Sequence, residues 1–199
     1  MDHPLSCECK GIQGHVRPGA VASRVLCYCK DCQAFARFLQ VEDTVLNVQG
    51  GTHIVQLAAS RVFFSQGKEH LAVVRLSEHG LLRWYASCCN TPIGNTLPTS
   101  QLPFIGLVDN ILNQAAIPKD FPGKTAVVHT QSAIGQPKPE AHGLSGTMWR
   151  FLRIVAKARM SGAYKRSPFF TDEGKPVATP KVLTDEQRES LKQAPRSSR

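Results

Sequence analysis

The sequence predicts a mainly β fold with helices at the C-terminus. Three features predict it: short alternating apolar runs over the first half, turn residues between those runs, and helical periodicity that is strong only from residue 145 onward. Strands are expected at 44–48, 53–57, 61–64, 70–76 and 81–85. Gly50-Gly51, Gln66-Gly67-Lys68 and Ser77-Glu78-His79-Gly80 supply the turns between them. The last two strands read as a hairpin that delivers Cys88 and Cys89. Helical signal in this half is limited to one or two turns within 31–39. Residues 110–144, rich in Pro, Gly, Gln and Lys, read as an irregular covering segment or linker. The strongest helix spans 145–160, with Met148, Phe151, Leu152, Val155 and Met160 expected near one face and Arg150, Arg153 and Lys157 on another. Thr184-Asp185-Glu186-Gln187 has capping-box spacing ahead of a final helix through 194, and 197–199 read as a frayed end. The organisation this implies is a β domain at 1–109, the covering segment at 110–144 and a basic helical region at 145–199.

Composition narrows the function classes. The N-terminus lacks the basic and apolar regions of a secretory signal, and no apolar run is long enough to span a bilayer, so a cytoplasmic protein is expected. Thiols stay reduced there, and clustered cysteines bind metal more often than they pair. Seven cysteines, an odd number, cannot form a fully paired disulfide framework. The formal net charge of +9 is uneven. Residues 1–110 hold nine Lys and Arg against eight Asp and Glu, and the remainder holds fifteen against seven. Every cysteine lies in the nearly neutral part.

Those cysteines form three groups: Cys7-Glu8-Cys9, Cys27-Tyr28-Cys29-Lys30-Asp31-Cys32, and Cys88-Cys89. In an extended segment, residues two apart share a face, so Cys7 and Cys9 can aim two thiolates at one ion. The second group adds a third sulfur after two residues, the usual knuckle spacing around zinc. Soft ligands this dense favour zinc or an iron–sulfur cluster, and the spacing matches none of the common cluster-binding runs. A redox role for the Cys29-x-x-Cys32 pair is the non-metal alternative.

The segments L-S-C-E-C-K-G at 5–11, L-C-Y-C-K-D-C-Q at 26–33 and C-N-T-P-I at 89–93 resemble the glutathione-dependent formaldehyde-activating enzyme family, of the same superfamily as centromere protein V. The resemblance spans residues 5–108, and it makes this chain an atypical member with an extra C-terminal region. It implies a compact, zinc-stabilised β fold with one structural zinc and one weaker, catalytic-type zinc. By the same resemblance Cys7, Cys9 and Cys89 match structural ligands, and Cys27, Cys29 and Cys32 match the open site. One departure stands out: the family's later C-x-x-C would begin at Ala86, which cannot ligate. Cys88 supplies the fourth sulfur if the backbone turns at Asn90-Thr91-Pro92; otherwise water or a histidine such as His3 or His15 completes the site.

The function implied is a carbon–sulfur lyase acting on a small thiol or thiol–aldehyde adduct, with glutathione as possible co-substrate and Lys10, Lys30 or Arg37 as candidate cations to hold it. The alternative is a non-enzymatic zinc scaffold that uses the basic C-terminal region as its interaction surface. Nucleic-acid binding is not expected. His53 and His70 read as structural, Trp84 and Tyr85 as core, and Phe35, Phe38 and Leu39 as anchors for the knuckle.

Overall fold

The computed structural model describes residues 2–19 and 21–193; Ala194 and the expected frayed end at 197–199 lie outside them. The chain opens with a hairpin, β1 (His3–Ser6) and β2 (Gln13–Val16), followed by β3 (Ser23–Cys27). Two helices, α1 (Lys30–Leu39) and the one-turn α2 (Glu42–Val45), lead into β4 (Thr52–Ala58), β5 (Val62–Gln66), β6 (Leu71–Arg75) and β7 (Leu82–Ala86). Next come β8 (Pro92–Thr96), β9 (Phe104–Val108), the short α3 (Ile117–Asp120) and β10 (Thr125–Val128). Helix α4 (Leu144–Met160), β11 (Lys181–Val182) and α5 (Asp185–Gln193) follow. Strands β1, β2 and β5 make a three-stranded sheet; the other eight described strands make a second sheet, in the order β10-β3-β4-β9-β8-β7-β6-β11. β10 joins β3 and β11 joins β6 in parallel, and all other pairs are antiparallel. The fold is mainly β, as the sequence predicts.

One buried cluster joins the two sheets. Leu5, Ile12, Val16 and Val62 of the small sheet and its loops meet Leu57, Trp84, Ile93 and Leu107 of the large one. Each side chain of this kind contributes about 1.5–3 kcal/mol on burial. The Trp84 indole N–H donates to Thr96 Oγ1 at 3.0 Å, so the largest core residue buries no unpaired donor. Helix α1 places Ala34, Phe35 and Leu39 against Val74, Leu76 and Leu183, which anchors the segment that carries the middle cysteines.

Several elements differ from expectation. The predicted strand at 44–48 begins as helix α2, because Arg37 and Glu42 form a nearly buried ion pair at 2.9 Å that folds the chain back after α1. The helical signal at 31–39 becomes ten residues of helix. Segment 110–144 contributes β10, an edge strand paired with Ser23–Cys27. His70 sits in a 3₁₀ turn ahead of β6 and not in the strand.

Helix α4 corrects the expected apolar face. Its buried positions are Thr147, Ile154 and Ala158, whereas Met148, Leu152 and Met160 are 53%, 52% and 88% exposed. Apolar residues occur almost all round this helix, so periodicity alone does not choose a face; the sheet takes the side centred on Ile154, with half-buried Phe151 at its margin against Phe104. No helix among the described residues is long and apolar enough to cross a membrane.

Gly67 shows how closely the turn after β5 approaches the β1–β2 turn beside it in the small sheet. Its φ is +75°, and an added Cβ would lie 2.0 Å from the Gly11 carbonyl oxygen. Gly67→Ala should therefore destabilise the protein by about 3 kcal/mol or more, from strain plus backbone displacement. A urea midpoint equal to that of the wild type would refute this reading.

Candidate metal centres

The first centre joins the two sheets. The backbone from Cys7 to Lys10 is a turn: Lys10 N–H donates to Cys7 O at 3.0 Å, and Lys10 adopts φ 61°. Cys7 and Cys9 thus converge through a turn and not through the extended pleat expected, because an extended chain cannot also fold back to close the β1–β2 hairpin. Across the core, the β7–β8 connection turns tightly. Asn90 takes φ 56°, Ala86 N–H donates to Thr91 O at 2.9 Å, and Cys89 N–H to Ala86 O at 3.3 Å. This brings Cys7, Cys9, Cys88 and Cys89 together, with one sulfur from each lying within 4.8 Å of all the others. The sulfurs of Cys7–Cys9, Cys7–Cys88, Cys9–Cys88 and Cys88–Cys89 are 3.6, 3.8, 3.3 and 3.8 Å apart. Four thiolates around one ion at about 2.3 Å would sit about 3.8 Å apart, so the donor set fits a tetrahedral thiophilic ion. Ile12 N–H donates to Cys7 Sγ at 3.2 Å, and the Thr91 hydroxyl, which accepts from Glu8 N–H, lies 3.0 Å from Cys89 Sγ. These contacts orient the sulfurs from outside the set.

The second centre lies where β3 runs into α1. Cys27 ends the strand, Cys29 caps the helix and Cys32 lies in its first turn; the three sulfurs are mutually within 4.8 Å. Cys29 and Cys32 are 3.1 Å apart, and Cys32 N–H donates to Cys29 Sγ at 3.3 Å. Cys27 and Cys32 are buried, and Cys29 is partly exposed. Beside them stands Arg83, almost wholly buried. Its Nη1 donates to Asn95 Oδ1 at 3.1 Å, and its guanidinium lies 5.6 Å from the Phe35 ring centre and 3.8 Å from Asp31 Oδ2. Asp31 also meets Arg188 at 3.5 Å and Lys192 at 3.7 Å, which fastens α5 to the start of α1.

Crowding sets the ionisation of both groups. Hydrogen bonds from Cys27 and Cys29, aided by the nearby Arg83 charge, hold the Cys32 thiol well below the usual range. Hydrogen bonding with Cys29 and Cys32, followed by burial, raises Cys27. In the first group burial raises Cys7 and Cys88. Burial also opposes ionisation of Cys89, but hydrogen bonds from Thr91 and the Cys9 backbone outweigh it and lower that thiol to about 6. A further thiolate in either cluster calls for a cation among the sulfurs.

Other candidates fall elsewhere. His3 is buried against Phe121 and hydrogen-bonded to Asp120 Oδ2 at 2.6 Å, and His15 stacks on Phe63; neither belongs to a cysteine group. Arg37 is committed to Glu42 and to the carbonyl of Leu191, so it is not available to a ligand at the trio. Lys30 and Lys10 are exposed, the first beginning α1 and the second following Cys9. Arg83, Asp31 and Thr91 escaped the sequence reading; the one available signal was a charged residue inside the apolar run Leu82-Arg83-Trp84.

A family model described as a family of unknown function (DUF6151) matches residues 2–181. No curated protein matches the chain. Among solved structures, a Rhodobacter sphaeroides protein determined by a structural-genomics programme aligns with a TM-score of 0.42 and 16% identity, over 63% of this chain and 99% of its own.

Proposed function

The chain belongs to this family of unknown function, and we propose that it is a zinc-thiolate protein acting on a small thiol or thiol–aldehyde adduct at Cys27, Cys29 and Cys32. The difference between its two cysteine groups supports this reading: four sulfurs complete a tetrahedral shell, whereas three leave one position for a ligand. The group at Cys7, Cys9, Cys88 and Cys89 is then the structural site. Zinc at the trio would supply a soft Lewis-acidic position suited to a thiol sulfur.

The chain's own residues define the rest. Three thiolates around a divalent ion leave one net negative charge, and Arg83, buried beside Cys32, offsets it. Lys30, between Cys29 and Cys32, is the exposed cation next to the trio and suits an anionic thiol such as glutathione; Lys10 follows Cys9 of the four-sulfur group. The reaction class is the one implied by the formaldehyde-activating enzymes that the cysteine pattern resembles: making or breaking the carbon–sulfur bond of a thiol–aldehyde adduct. Seven free thiols suit a reducing compartment such as the cytoplasm.

A second reading, a zinc scaffold without catalysis, is favoured by one observation. Among the described residues, five surface cavities can be outlined that no cysteine lines. Exchange spectroscopy on glutathione and formaldehyde separates the two. Wild-type protein should accelerate hydroxymethyl-glutathione formation and breakdown, whereas Cys32→Ser should abolish the acceleration, keep the fold and lose only the trio's ion. Equal exchange with wild type, with Cys32→Ser and without protein would leave the scaffold.

A further inference from the structure

A cavity of about 320 Å³ opens well away from both cysteine groups, where the far ends of β2, β4 and β5 meet α4. Cys27 pairs with Thr52 at one end of β4, and the cavity takes Leu57 and Ala58 at the other. Six residues of strand separate Thr52 from Ala58, roughly 20 Å at about 3.3 Å each. On β2, the cavity takes Arg17, just beyond the Val16 end. The first cysteine group lies by the opposite end, where a Cβ on Gly11 would touch Cys88 Sγ.

Its floor is apolar, formed by Val21, Ala22, Leu57, Ile154 and Ala158. Its lining carries four cations, Arg17, Arg61, Lys157 and Arg166, and none of the described lining residues is acidic. Two of the cations are fixed in place. Arg61 Nη1 donates to the carbonyls of Arg17 and Pro18 at 3.2 and 2.8 Å. Arg17 stacks on Phe63 at 4.9 Å and stands 3.6 Å from Asp2. Lys157 and Arg166 have no carboxylate within 4.0 Å among the described residues. The stretch supplying them contains six Lys and Arg between Glu140 and Asp172 and no acid.

We infer that this cavity binds a small amphipathic anion, a carboxylate or phosphate head on a compact aliphatic body, with the head among Arg17, Arg61, Lys157 and Arg166. Asp2 offsets Arg17, but the charges of Lys157 and Arg166 beside an apolar floor stay unpaired until an anion arrives whose body also displaces water from that floor. A space of about 320 Å³ lies at the small end of ligand pockets and suits a body of about an octyl chain's size. Cavity and cysteine groups share no residue, so the site is independent of the zinc chemistry proposed above.

Titration calorimetry of the full chain at 0.15 M salt tests this with octanoate, octyl phosphate, 1-octanol and octylamine. Octanoate or octyl phosphate should bind at one saturable site, with the tighter of the two naming the head. 1-Octanol should bind at least about tenfold more weakly, and octylamine not at all. Lys157→Gln combined with Arg166→Gln should weaken the anion by about tenfold or more and leave 1-octanol unchanged. Both positions are exposed, and the comparison of anion with alcohol on the wild-type protein needs no variant. Equal binding of alcohol and anion, no saturable binding of either anion, or full affinity in the double variant would each overturn the inference.

Discussion

Cys89→Ser should lower the melting temperature by about 10–15 °C and remove about one zinc ion per chain. The estimate rests on the site's position as the tie between the two sheets. Cys7 lies in the core cluster that joins them, and Cys89 packs against that cluster from the β7–β8 turn. Losing one ligand exposes three crowded sulfurs to mutual repulsion and releases a contact between segments about eighty residues apart. Disruption of a structural metal site is worth several kcal/mol; about 4 kcal/mol, at about 2–4 °C per kcal/mol for a chain of this length, gives the stated shift. Elemental analysis and a thermal scan check it. Cys88→Ser isolates the other sulfur of the β7–β8 turn: a loss matching that of Cys89→Ser makes it a full ligand. Normal melting and normal zinc in both variants would dismiss this centre.

Arg83→Met should weaken metal binding at Cys27, Cys29 and Cys32 by about 10–100-fold, the range seen when a group just outside a metal shell is removed. It should also destabilise the fold by about 2–4 kcal/mol. Arg83 is the buried positive charge beside Cys32, and Asn95 Oδ1 accepts its N–H. Its removal leaves a thiolate and a carbonyl oxygen without their partner, the costly case for buried polar groups. Arg83→Lys keeps the charge and loses the forked donor, so it should fall between wild type and Arg83→Met. Competition with a chromophoric chelator measures the affinity, and an unchanged value for Arg83→Met would remove this residue from the site.

The sequence makes some of this legible and hides the rest for physical reasons. Strands β4 to β7 show in it because their inward positions are Val, Ile, Leu and Trp at a period of two. Strands β8 and β9 do not: they carry Pro92, Gly94 and Gly106, residues that read as turns. The structure needs those glycines in strands, because a Cβ on Gly94 would sit 2.6 Å from the Gly106 carbonyl oxygen. Strand β1 is disguised in the same way by Pro4. The spacing shows three cysteine clusters; only the resemblance to the formaldehyde-activating family joins Cys7 and Cys9 to the pair at 88–89, and the fold brings those four sulfurs together. What drew Cys88 beside Cys7 and Cys9 was a turn set by Asn90 in a left-handed conformation, which the Asn90-Thr91-Pro92 run only permitted. Arg83 stayed invisible because one cation in a strand normally marks the solvent face, and only the three-dimensional placement of Asp31, Asn95 and Cys32 turns it inward. The packing face of α4 is illegible because its bulky residues divide: Met148, Leu152 and Met160 lie outside, whereas Ile154 is buried and Phe151 packs on Phe104.

The sequence separation between the partners of the four-sulfur group also governs the order in which the chain can assemble. Cys27, Cys29 and Cys32 emerge from a ribosome almost together, and their geometry depends on one strand end and one helix turn. Cys7 must wait for Cys88, 81 residues later, an interval of about 4–16 s at ordinary synthesis rates of about 5–20 residues per second. Strand β3 waits longer still for β10, since Val25 pairs with Ala126. Throughout that interval Cys7 and Cys9 are a nascent pair of uncovered thiols, open to oxidation and to stray ions. The trio's three cysteines are therefore present together early, but their strand is not fully paired until β10 follows, whereas the four-sulfur group can close as soon as Cys89 has emerged.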